Sequence, residues 1–363
     1  MTAAVGVPAQ PPTVADERQV LIVTTEVPPD RVASFRALAE LVPFELALFG
    51  GGLHATAGVQ DHGLLAREIR QREAYALAAS GRYRAVIAGT GGRTALPAAW
   101  LGAERAGVPF LLWSALWAHP RSLAHLPGDL LLRLLYRRAT VVLAYGPHVA
   151  DFAATHGAKR IVVAPQAVDA SRWSSPQPHV PAEPARFLFI GRDDPGKGVD
   201  LLLQAWAASR VWEQGAELEL LGPAPARSDA GRHVVARGSV APEAVREALR
   251  GALALVVPSE RTATFREPWG LVVNEAMHGG VAVIATDEVG AAAGGLVLDD
   301  DTGLVVHAGD VGALAGALQR LVRDRGEAAR LGAAGYRAVG AYTPEAWAAA
   351  VAAALADPVR SRP

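Results

Sequence analysis

Cysteine is absent from this 363-residue chain. That excludes disulfides and thiolate-held metals, and it suits a reducing compartment. Net charge is nearly absent as well: 35 lysines and arginines stand against 36 aspartates and glutamates, for a formal balance of −1. A protein that grips a phosphate backbone carries a basic excess, so nothing here calls for a nucleic-acid partner. Long hydrophobic runs are missing too. The cleanest apolar stretches, 108–112 and 348–356, fall short of the roughly 20 residues that a membrane-spanning helix needs. Residues 1–18 are rich in Pro, Ala and Val without a basic leader or an apolar core, and they read as a flexible tail rather than a signal peptide. No repeat of solenoid period is visible. These absences favour a cytoplasmic protein.

What is present is an alternation of apolar runs and helical patterns. Hydrophobic residues make up 51% of the chain, enough to build two cores in a sequence of this length. Short strands are expected over 20–24, 44–49, 85–88, 110–113, 141–144 and 161–163. Helices are expected between them over 32–41, 64–79, 95–106, 130–138 and 147–156. This is the pattern of a doubly wound parallel sheet. A Pro-rich stretch around Pro176, Pro178, Pro181 and Pro184 reads as a linker. A second alternating series follows it. The expected division is therefore 1–18 tail, 19–170 first domain, 171–185 linker and 186–343 second domain, with a last helix beginning at Pro344.

Two stretches of the second half carry chemistry. In Arg266-Glu267-Pro268-Trp269-Gly270-Leu271-Val272-Val273-Asn274-Glu275, seven residues separate two glutamates. Pro268 and Gly270 force a tight loop, and a helix is expected over 271–277. Glu267 would then sit at the helix entrance and Glu275 about 6 Å further along its axis. The amides of Gly270 and Leu271 would face outward with the positive end of the helix dipole. Such a place can hold an anion on its amides while the carboxylates accept bonds from hydroxyls. Upstream, the apolar run Phe187 to Ile190 leads into Gly191-Arg192-Asp193-Asp194-Pro195-Gly196-Lys197-Gly198. Arg192 offers a planar fork and Lys197 a point charge near a helix entrance, a combination that suits a diphosphate.

Gly-Arg-x4-Lys-Gly followed by Glu-x7-Glu resembles the C-terminal half of retaining nucleotide-sugar glycosyltransferases of the GT-B fold, glycosyltransferase family 4. Pro258-Ser259, Val283 to Asp287, Thr302 to Val306 and Gly309-Asp310 extend the match from about Arg186 to Val322. In the first half, Pro165 to Asp169 looks like the family's interdomain crossing. The resemblance implies an α/β protein of GT-B architecture, two Rossmann-like doubly wound domains facing across a cleft, with the terminal helix (344–363) packing back on the first. It also implies roles. Glu275 would bind the nucleotide ribose, Glu267 the donor sugar hydroxyls, Arg192 and Lys197 the diphosphate, Gly270 and Leu271 the donor through their amides, and Val240 the base through its backbone. Gly191 and Gly198 frame the diphosphate loop. A cleft histidine is common in the family after the strand that matches 110–113, and His119 stands there. A loop histidine packed between Trp117 and Pro120 explains that residue equally well.

Other features point elsewhere or nowhere. Gly89-Thr90-Gly91-Gly92 lacks the third glycine of a dinucleotide loop at the required spacing. Asp299-Asp300-Asp301 reads as a turn, and no metal site is expected. Trp113 and Trp117 read as core or as lining for an acceptor pocket, and His148 is a second strand-end candidate. Leu130 to Arg138, with Arg133, Arg137 and Arg138, reads either as a helix packed on the sheet or as a basic face resting on the inner surface of a membrane. Two departures from the family stand out: the loop 25–30 lacks the double glycine of many relatives, and Glu288 to Ala293 replaces a Gly-Gly-x-x-Glu pattern. The expectation is a retaining glycosyltransferase that moves a sugar from a UDP- or GDP-sugar to a hydroxyl acceptor without a required cofactor, as monomer or dimer. An epimerase or phosphorylase on the same fold and a non-catalytic nucleotide-sugar sensor are the alternatives.

Overall fold

The computed structural model describes residues 18–50, 63–118, 126–174, 179–223 and 225–356. Seven parallel strands form the first sheet: β1 (Gln19–Thr24), β2 (Phe44–Leu48), β3 (Ala66–Glu68), β4 (Tyr83–Gly89), β5 (Phe110–Ser114), β6 (Val141–Ala144) and β7 (Ile161–Val163). Six more form the second: β8 (Arg186–Ile190), β9 (Glu217–Leu221), β10 (Val234–Ala236), β11 (Ala254–Val257), β12 (Ala282–Thr286) and β13 (Leu304–Val306). The strand orders are β3-β2-β1-β4-β5-β6-β7 and β10-β9-β8-β11-β12-β13. Each order reverses once, between β1 and β4 and between β8 and β11. In open parallel sheets such a reversal leaves a ligand crevice at the carboxyl ends of the strands.

The strands form because their apolar residues run without alternation. Val20, Leu21, Ile22 and Val23 are all at most 1% exposed, as expected of strands covered on both faces. Helices α1 (Val32–Ala39), α2 (Glu73–Ala78), α3 (Ala95–Ala106), α4 (Leu126–Arg138) and α5 (Pro147–Thr155) cover the first sheet. A short helix, α6 (Ala170–Trp173), occupies the start of the expected linker. Then follow α7 (Val199–Ser209), α8 (Pro242–Gly251), α9 (Val272–His278), α10 (Gly290–Ala293), α11 (Val311–Arg323) and α12 (Arg325–Val339) around the second sheet. The last helix, α13 (Pro344–Ala356), lies on the first domain, where Trp347 and Val351 join the core beside α1.

One expected element differs. The helix expected over 64–79 is instead strand β3, paired in parallel with β2 through Leu46 and Ala66, followed by α2 from Glu73 onward. All three residues of β3 are exposed, so this edge strand is specified by its pairing rather than by burial. On α4, Leu131, Leu132 and Leu135 pack inward, while Leu130 and Leu134 face solvent. Among the described residues no helix is long and apolar enough to cross a membrane.

Candidate active site

The site is built where β8 and β11 leave the second sheet. After β8, Gly191 donates to Leu221 and the chain bends through Asp194 into a turn of 3₁₀ helix, Pro195–Lys197. Gly198 closes the turn at φ +70°, and a Cβ on it would stand 1.9 Å from the carbonyl oxygen of Pro258. Only glycine allows the two loops to approach this closely. That approach delivers Lys197 to the exit of β11, where its Nζ donates to Glu267 Oε2 at 2.5 Å. The ammonium also lies 5.4 Å from the centre of the Phe265 ring.

Glu267 is 6% exposed. Besides Lys197, it accepts a long bond from Ser259 Oγ at 3.4 Å, and Ser259 is itself anchored by Thr286 Oγ1 on its carbonyl at 2.5 Å. A buried carboxylate held by an ammonium and a hydroxyl is fixed in orientation. The chain then turns at Gly270, φ +85°, into α9. The amides of Gly270 and Leu271 make no hydrogen bond to the described residues. Trp269 is buried, its indole N–H donating to Asn274 Oδ1 at 2.7 Å; Asn274 in turn donates to the Gln166 carbonyl of the first domain at 2.9 Å.

Glu275 lies on the first turns of α9. Part of the residue reaches solvent, yet its carboxylate is sunk far enough that burial pushes its pKa up to about 8. Asp30 of the first domain adds repulsion and Arg172 partly offsets it. No side chain among the described residues hydrogen-bonds that carboxylate. A desolvated carboxylate with no protein donor on it, still reached by solvent, is open to the hydroxyls of a ligand.

The expected residues are thus only partly brought together. Lys197, Glu267, Gly198 and Gly270 converge, and Glu275 stands on the helix that leaves this loop. Arg192 is more than half exposed and ion-pairs with Asp194 at 3.0 Å, not with the Glu267 cluster. Val240 lies in the loop before α8, beside an open cavity of about 500 Å³ that Arg186, Glu219 and Arg237 also line. His119 lies outside the described residues. Three participants had no contact with the Glu267 loop assigned in the sequence reading, which named Trp117 only as core or acceptor-pocket lining and His148 only as a second strand-end candidate. Ser259 stands in a recognised motif but had no role. Trp117 and His148, far away in sequence, donate across the cleft to the Glu267 loop. Only their positions at strand exits gave any signal. Among the described residues no three His, Asp or Glu side chains gather where a metal could be held.

Two facing domains of parallel sheet, with basic and acidic side chains meeting at a switch point, make up the GT-B architecture. A family model described as Glycosyl transferases group 1 matches residues 184–324. The chain is 30% identical over 306 residues to a D-inositol 3-phosphate glycosyltransferase of Xylanimonas cellulosilytica, covering 73% of this chain and 70% of that protein. A phosphatidyl-myo-inositol mannosyltransferase of Mycobacterium leprae is 34% identical over 162 residues, 43% of this chain and 42% of that one. Among solved structures, Anabaena Alr3699/HepE in complex with UDP-glucose superposes with a TM-score of 0.76 at 17% identity, over 94% of this chain and all of that one. The chain belongs to the glycosyl transferases group 1 family, and it is a glycosyltransferase.

Proposed function

We propose that this enzyme is a retaining transferase of glycosyltransferase family 4 that takes its sugar from a UDP- or GDP-sugar and passes it to a hydroxyl acceptor. The observation that carries the reading is the Lys197–Glu267 pair over Ser259, set at the carboxyl ends of β8 and β11. An ammonium beside a carboxylate at one switch point offers a diphosphate and the sugar attached to it a partner each. The UDP-glucose held by the structural neighbour supports a donor of this class. Glu275 would receive ribose hydroxyls, Glu267 the sugar hydroxyls, and Lys197 with Arg192 the diphosphate, with Gly191, Gly198, Gly270, Leu271 and Val240 contributing backbone. For Arg192 this requires leaving Asp194.

In the step itself the acceptor oxygen bonds to the anomeric carbon on the face from which the diphosphate departs. The acceptor proton goes to a diphosphate oxygen, and Lys197 stabilises the charge on the leaving group. The reading needs no metal, places the enzyme in the cytoplasm or on the inner face of the membrane, and leaves inositol phosphates as the first acceptors to try, after the acceptor in the relative's name. His119 is proposed to face the sugar across the cleft.

Calorimetry with UDP, GDP and ADP, with and without Mg²⁺, tests the reading. One nucleotide should bind without metal, about tenfold or more weaker to Lys197→Ala, because a charged contact to phosphate is worth roughly 1.5–3 kcal/mol. Glu267→Ala should keep nucleotide affinity and lose turnover. No binding of any of the three would overturn the donor class.

A further inference from the structure

Two consecutive carbonyls of the Glu267 loop are bonded by side chains of the other domain. Trp117, in the loop after β5, donates its indole N–H to the carbonyl oxygen of Glu267 at 3.0 Å. His148, in the first turn of α5, bonds the carbonyl oxygen of Pro268 through Nε2 at 3.0 Å. A carbonyl only accepts, so Nε2 carries the proton. Burial holds the His148 pKa below the ordinary histidine range, and the ring is the neutral Nε2–H tautomer. The two rings also touch, edge to face at 4.8 Å, and His148 lies 5.8 Å from the Trp269 ring. Both residues are under 10% exposed.

Arg266 ties the same loop to the same tryptophan. Its guanidinium carbon stands 3.3 Å from the centre of the Trp117 ring, its Nη1 donates to the Trp117 carbonyl at 3.4 Å, and its Nε pairs with Glu288. On its own side of the cleft the loop is held by an isolated parallel bridge from Glu267 to Val289, by Gly290 N–H on the Glu267 carbonyl at 3.2 Å and by Ala291 N–H on the Trp269 carbonyl at 2.8 Å, while Lys197 and Ser259 hold the Glu267 carboxylate. Among the described residues the Glu267 carbonyl is thus bonded from both domains, and the Pro268 carbonyl from across the cleft alone.

We propose that Trp117 and His148 are positioning residues that make the alignment of Glu267 depend on the two domains being together. With the domains apart, the loop loses the Trp117 and His148 bonds, the Arg266 bond to the Trp117 carbonyl and the Arg266 stack, so that Lys197 and Ser259 hold the carboxylate on a backbone no longer aligned for transfer. Sugar activation is thereby confined to the closed cleft, from which water is excluded. The inference rests on the reading that Glu267 meets the donor sugar.

The test is a double-variant cycle on the whole chain. Trp117→Phe keeps the ring and its packing but removes the N–H. His148→Ala removes the second bond, and His148→Gln keeps an amide donor near the position of Nε2. Nucleotide release from UDP-glucose and GDP-mannose is measured in each, alongside affinity for UDP and GDP. The expected results are a fall in turnover of about tenfold for Trp117→Phe with nucleotide affinity unchanged, partial rescue of His148→Ala by His148→Gln, and no further loss when Trp117→Phe is placed in a Glu267→Gln background. Equal losses in both backgrounds would overturn the positioning role while leaving Glu267 in the site. A Glu267→Gln variant that keeps wild-type turnover would instead overturn the donor reading beneath it. Amide exchange gives a readout independent of any substrate. Residues 266–271 should exchange faster in Trp117→Phe while α12 stays protected, and unchanged exchange in 266–271 would overturn the proposal.

Discussion

Glu275 is the residue whose charge state decides most. Burial pushes its pKa up to about 8, so in the proposed role its carboxylate gives up a proton to accept two ribose hydroxyls. Below pH 8 that deprotonation opposes binding, so nucleotide affinity should rise from pH 6 to pH 8 and level off above. Isothermal titration across that range would show the rise, with proton release scaling with buffer ionisation enthalpy, and Glu275→Gln should abolish both. Stability runs the other way. The folded carboxyl retains its proton where an unfolded one has lost it, so its contribution to stability falls as pH climbs from the unfolded value near 4.5 to about 8. At this scale the sequence was legible for Lys197 and Glu267, because motif spacing put both at strand exits. It was not legible for Arg192, whose flexible side chain pairs with Asp194 two residues away. It marked Trp117 and His148 only as strand-end residues and was silent on their partners, which are 150 and 120 positions distant.

Among elements, the loop from β8 into α7 illustrates how much geometry a single glycine holds. Gly198→Ala would place a methyl group 1.9 Å from the Pro258 carbonyl oxygen and hold a side chain at φ +70°. The backbone penalty alone is about 1 kcal/mol, and relief of the clash must move Lys197 away from Glu267. Chemical denaturation should show a loss of about 1–3 kcal/mol, with nucleotide affinity falling in the same variant because the lysine is displaced. Gly316, in the middle of α11 with open space around it, is the control: alanine there should be neutral or stabilising. Central strands were readable because continuous apolar runs admit few alternatives. The edge strand β3 was not, because Ala66-Arg67-Glu68 has the composition of a helix surface and becomes a strand only by pairing with β2. Tertiary pairing overrode local propensity.

For the molecule as a whole, α13 matters because it belongs to the first domain in space and follows the second in sequence. Trp347 is 2% exposed and packs edge-on against Phe35 at 5.5 Å and beside Trp113 at 5.7 Å. Two layers of the first domain, α1 and the sheet, therefore close on a side chain delivered by the end of the chain. The candidate donor-site groups Lys197, Glu267 and Glu275 belong to the second domain and share no contact with that side chain. Trp347→Ala should leave a cavity costing about 3–5 kcal/mol, felt in the first domain. Unfolding in urea should change from one transition toward two, with the first domain melting early while bound nucleotide still protects the second. The tryptophan fluorescence of the first domain and the heat of nucleotide binding would follow the two halves separately. If both were lost at a single denaturant concentration, the domains would be energetically one unit, bound through the Trp117, His148 and Arg266 contacts rather than through α13. In that case Trp117→Phe, not Trp347→Ala, would be the change that separates the two transitions.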